Sequence, residues 1–223
     1  MNAQNSSNQQ TDLDRILEKI NEIVEKSADG DYIYRGEAEY FEKIASSLYR
    51  EYPHAEGEGS DIERDQAAIL DEVKEYTSES DPIKILTELQ HFGGKTNLID
   101  FTKDYLIALF FACDGSHEKP GRVILQKRES EHYKIEEAPK AIKRAEHQKS
   151  VFVQSPDGFI EPDIEVDIPV DLKFPMLEYL RKYHRISAES IYNDLHGFIT
   201  TNGRFFSVSW CVLFVCLASI AYK

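Results

Sequence analysis

Four short stretches of this chain carry polar residues where the surrounding sequence is apolar, and each holds a group able to do chemistry: Tyr34-Arg35-Gly36-Glu37, Gln90-His91-Phe92-Gly93, the segment from Thr96 to Thr102, and Arg144-Ala145-Glu146-His147-Gln148. Arginine offers a planar fork of donors that matches phosphate or carboxylate in two parallel hydrogen bonds. Arg35 therefore reads as a holder of an anionic group, with Tyr34, Gln90 and Arg144 as further ligand contacts and Gly36 as a point where a ligand can approach the backbone. The structural alternative for Arg35 is a buried ion pair, for instance with Asp100, since buried charges are normally paired. His91 can serve as acid, base or hydrogen-bond donor near neutral pH, or be a core histidine satisfied by one carbonyl.

Asp100 and Thr102 bracket Phe101, so in an extended strand both face one side and Phe101 the other. They orient His91 or a ligand ribose on the functional reading; on the structural one, Thr102 caps the next helix.

The elements that must position these groups follow from periodicity. Leu13, Ile16, Leu17, Ile20, Ile23 and Val24 recur at helical spacing after a leader, residues 1–11, expected to be disordered. Tyr32 to Arg35 reads as a strand, Glu39 to about Tyr52 as a helix, 53–60 as a mobile acidic loop, and Asp61 to Tyr76 as a helix. Asp81 as cap and Pro82 in the first turn open a helix that Gly93 and Gly94 stop. Thr96 to Thr102 is extended and leads into an apolar helix ending at Cys113. Strands are expected at 123–125, 151–153 and 164–170, and helices at 175–184 and 188–195. The fold class is α+β, a single domain over 12–200 with a small mixed or antiparallel sheet flanked by helices.

With 26 basic and 40 acidic residues the net charge is -14, which disfavours non-specific binding to nucleic acid. Three cysteines without metal-ligand spacing fit a reducing compartment and no metal. The N-terminus lacks a secretory pattern, so a cytoplasmic protein is expected. Phe205 to Tyr222 carries no charge over 18 positions, the lower limit for a span, so the tail at 201–223 reads either as a membrane anchor or as an apolar extension.

The motifs, taken in order, resemble the FRG domain family: Tyr34-Arg35-Gly36, then Gln90 to Gly93, Thr96 to Thr102 leading into Ala108 to Ala112, Arg144 with Gln148 and Phe152, and Ile191 to Gly197. The resemblance covers 31–199, with Asn97 where the family commonly has Arg and Phe101 where it often has Trp. It implies a bacterial or phage conflict setting, with phage defence or toxin roles. A looser similarity to the layout of ADP-ribosyltransferases implies NAD as substrate: Arg35 on its phosphates, Thr102 organising the pocket, and an acid near 146–148 facing the positive centre formed as nicotinamide leaves. Gln148, however, stands where that acid is expected, so the resemblance implies that Glu146 or Glu161 substitutes in a catalytic set with Gln148, or that the pocket binds without this chemistry. The functional expectation is a pocket for an anionic, nucleotide-like ligand, extending to ADP-ribosyl transfer onto an acceptor. The alternatives are a non-catalytic sensing or protein-interaction module and a hydrolase using His91 with Asp100.

Overall fold

A computed structural model describes residues 2–51, 62–140 and 142–193. The acidic loop, the end of the last motif and the apolar tail with its membrane reading lie outside the described residues. Among the described residues no helix is long and apolar enough to cross a membrane.

Six strands form the main sheet in the order β5-β6-β3-β1-β4-β8, every neighbouring pair antiparallel. These are β1 (Tyr32–Glu37), β3 (Ile99–Thr102), β4 (Gly121–Lys127), β5 (Lys134–Glu137), β6 (Ser150–Gln154) and β8 (Ile164–Ile168). A second, two-stranded sheet pairs β2 (Ile44–Ala45) with β7 (Phe159–Ile160). The helices are α1 (Asn2–Lys26), α2 (Ser47–Glu51), α3 (Ile62–Val73), α4 (Pro82–His91), α5 (Tyr105–Cys113), α6 (Lys143–His147), α7 (Val170–Tyr179) and α8 (Ala188–Ile191).

Alternation along the strands makes two cores. On one face Val123, Leu125, Val166 and Ile168 meet α5, α7 and the Ile16–Ile23 stripe of α1. On the other, Ile33, Ile99, Phe101, Ile124, Val151 and Val153 close against Ile44 and Ile160 of the small sheet. Helix α5 lies so close to the sheet that a Cβ on Gly36 would sit 1.9 Å from the Ala108 carbonyl oxygen, and one on Gly121 2.1 Å from that of Ala112. Gly36 is thus required by helix-on-sheet packing, whatever its part at the cavity that it also lines.

Several element expectations need revision. The helix expected over Glu39 to Tyr52 is replaced by a loop, β2 and the short α2, because Ile44 and Ala45 are drawn into pairing with Ile160 and Phe159. Helix α1 starts at Asn2, so most of the expected leader is helical; neither Pro nor Gly interrupts that stretch. Helix α7 begins five residues before Pro175, which lies inside it, and burial of Leu172, Lys173 and Met176 outweighs the lost donor. A turn of π-helix, Leu180–His184, then ends at Arg185 in the left-handed region.

Candidate functional site

Strands β1 and β3 are paired at Tyr34 and Thr102, and beyond that point the Arg35 side chain fills the space between them. Its Nη1 donates to the Asp100 carbonyl oxygen at 2.8 Å and its Nε to Glu37 Oε1 at 2.9 Å. The ion pair of Arg35 is therefore with Glu37, two residues along the same face of β1, and not with the Asp100 carboxylate that the sequence suggests. Glu37 is 3% exposed and shared, since Arg122 binds its Oε2 through Nε and Nη2 at 2.9 and 2.7 Å. Arg122 also reaches Glu165 and stacks over Tyr40. Glu37 and Arg122 are the residues that the sequence reading missed; the period-two spacing of Arg35 and Glu37 was the available signal.

Gln90 explains why its motif and the Thr96–Asp100 motif belong together. Its amide Nε2 donates to Asp100 Oδ1 at 2.7 Å while its Oε1 accepts from Thr96 Oγ1 at 2.5 Å, so one side chain at the end of α4 fixes both ends of the segment entering β3. The Asp81 carboxylate caps that helix at Ile83 N, and Gly93, at a φ of +88°, turns the chain out of it. Asn97, at the variable motif position, is buried and donates to the Ser155 carbonyl, away from the site.

These residues surround a cavity of about 370 Å³. Tyr34, Arg35, Gly36, Gln90, His91, Asp100, Thr102, Arg144 and Gln148 all line it; Glu146 does not, nor does Glu161, and both are exposed. Among the described residues the only acidic side chain on the wall is Asp100. It presents surface to the cavity yet is surrounded by protein, and desolvation raises its carboxyl above the ordinary value despite the opposing charges of Arg35, Arg144 and Arg50 and the bond from Gln90. Five Phe and Tyr rings, Tyr34, Phe101, Phe111, Phe152 and Tyr192, add flat apolar surface, and the Arg144 guanidinium lies 4.9 Å from the Tyr192 ring centre.

Thr102 is committed to structure. Its hydroxyl donates to the Gln148 carbonyl at 2.7 Å and accepts from Asp104 N, tying β3 to the end of α6. The cap of α5 is Asp104, not Thr102. Gln148 sends its Nε2 toward the Ile191 carbonyl at 3.5 Å, linking α6 to α8. His91 meets the Phe92 ring edge-on at 5.3 Å. Cys113 is buried in the core and its thiol is pushed up to about 12 by that burial, so it is no nucleophile.

Residues 30–120 match the family model of the FRG domain. The chain contains an FRG domain. No curated protein and no solved structure matches the chain. The FRG match spans β1 to the end of α5 and so covers Arg35, Gln90, His91 and Asp100. Arg144, Gln148 and Tyr192 lie beyond it yet close the same cavity from α6 and α8.

Proposed function

We propose that the cavity of this FRG domain binds a nucleotide-like anionic ligand. The observation that supports this reading most is the composition of its wall: two arginines, Arg35 and Arg144, set among five Phe and Tyr rings in a concavity of about 370 Å³. Anions are held by guanidinium forks, and bases and nicotinamide rings stack on aromatic faces, so this combination suits a ligand with both parts. The volume is at the small end of ligand pockets, which run from roughly 300 to 1,000 Å³.

The extension to chemistry is ADP-ribosyl transfer from NAD. In that reaction the glycosidic C–N bond breaks, nicotinamide leaves with the bonding electrons, and an acceptor nucleophile adds to the ribose carbon. Asp100, rather than Glu146, is then the carboxylate facing the positive centre, because it alone of the candidate acids is on the wall. Gln90 supports the assignment by holding Asp100 Oδ1 in one orientation. The phage-conflict setting adds a phenotype: a bacterium expressing the wild-type chain plates phage less well than one expressing Arg35→Lys.

The test is equilibrium binding of ADP-ribose and NAD to the full chain, with mass spectrometry of the NAD mixture for released nicotinamide and a mass gain on protein. Binding with release supports transfer, and binding of both without release reduces the role to ligand sensing. Neither compound binding at millimolar concentration would overturn the reading.

A further inference from the structure

Arg35, Gln90 and Asp100 line a second cavity as well, of about 200 Å³, on the side of Arg35 toward β2, α2 and the end of α4. These three side chains border both spaces. The second space has its own cations: Arg50 from α2 and Lys95 from the turn after α4. Lys95 is paired with Glu51 at 3.2 Å and half exposed. Arg50 has no carboxylate partner among the described residues, its one bond going from Nη1 to the Ala45 carbonyl. Its pKa is lowered by desolvation and then by the charge of Arg35, against the opposing charges of Asp100 and Glu37.

An anion between Arg35 and Arg50 gains charged N–H donors from both guanidiniums, with Lys95 at the rim. The neighbouring helix end opposes it weakly, because the Gly93 and Gly94 N–H groups are already spent on the Gln90 and Leu89 carbonyls and the helix dipole fades within its last turn. We infer that the cavity lined by Arg50 and Lys95 is a second anion subsite beside the first, so that the ligand class is a phosphoanhydride whose second phosphoryl group reaches past the edge of Arg35 to Arg50 and Lys95. This deepens the nucleotide reading and rests on it.

The experiment is calorimetric titration of the full chain with AMP, ADP and inorganic pyrophosphate. ADP is expected to bind about tenfold or more tightly than AMP, the return of one charge-assisted contact. In Arg50→Gln that advantage disappears, and in Lys95→Gln, at an exposed position that leaves folding intact, it shrinks. Equal affinities for AMP and ADP, or an advantage that persists in both variants, overturn the second subsite and leave the nucleotide pocket standing. No binding of any of the three overturns both.

Discussion

Replacing Arg35 tests the relation between its structural and functional roles. In Arg35→Ala the side chain, 18% exposed, gives up the Nε bond to Glu37 and the Nη1 bond to the Asp100 carbonyl. Stranding a buried partner typically costs about 3–5 kcal/mol. Glu37 is not stranded here, because Arg122 still binds its Oε2 twice. The loss is therefore nearer one charge-assisted hydrogen bond, about 1.5–3 kcal/mol, partly offset by relief of the Arg35–Arg50 repulsion. At roughly 2–4 °C per kcal/mol for a chain of this size, the melting temperature should fall by about 3–10 °C. Glu37→Ala should cost more, about 3–5 kcal/mol, because it leaves Arg35 and Arg122 facing each other. The assay is urea unfolding of both variants alongside wild type. If Arg35→Ala costs as much as Glu37→Ala or more, the sharing of Glu37 by two arginines is not how the charge is balanced.

Three further outcomes follow from the same geometry. Gly36→Ala should cost about 3 kcal/mol or more in urea unfolding, since its Cβ would overlap the Ala108 carbonyl; a change under 1 kcal/mol would show that α5 can lift off the sheet without penalty. Asp100→Asn should raise the melting temperature at pH 7 and less so at pH 4. The sign follows from the raised folded-state value: the native state binds that proton more tightly than the unfolded chain, so stability is lost as pH rises from the unfolded value of about 3.9 through the folded one; a lower melting temperature for Asp100→Asn at pH 7 would refute it. Glu146→Gln should leave ADP-ribose binding unaltered and stability within about 0.5 kcal/mol, because the side chain is exposed and off the cavity wall; a tenfold loss of affinity would return Glu146 to the site.

The helices α3, α4 and α5 were legible because caps, Pro82 and a run of apolar residues at fixed spacing all act within one element. Strand β5 was not, since Lys134–Glu137 is a polar edge strand with no alternating apolar face, and its place depends on pairing with β6. The convergence of the motif residues followed from their order along the chain. Their bonding did not, because the choice between Glu37 and Asp100 as partner of Arg35 depends on which way β1 presents it across the gap to β3. The packing role of Gly36 was hidden for a similar reason: a glycine that admits a ligand and one that admits a helix look alike in sequence, and only the position of Ala108 over β1 reveals the second.

If the Arg35 fork holds the ligand, calorimetric titration of ADP-ribose into wild type and Arg35→Lys reveals it. Lysine keeps the charge but cannot form two parallel bonds, so affinity should fall tenfold or more while the variant still unfolds cooperatively. Equal affinity in the two proteins would contradict the account and leave Arg35 as a structural partner of Glu37.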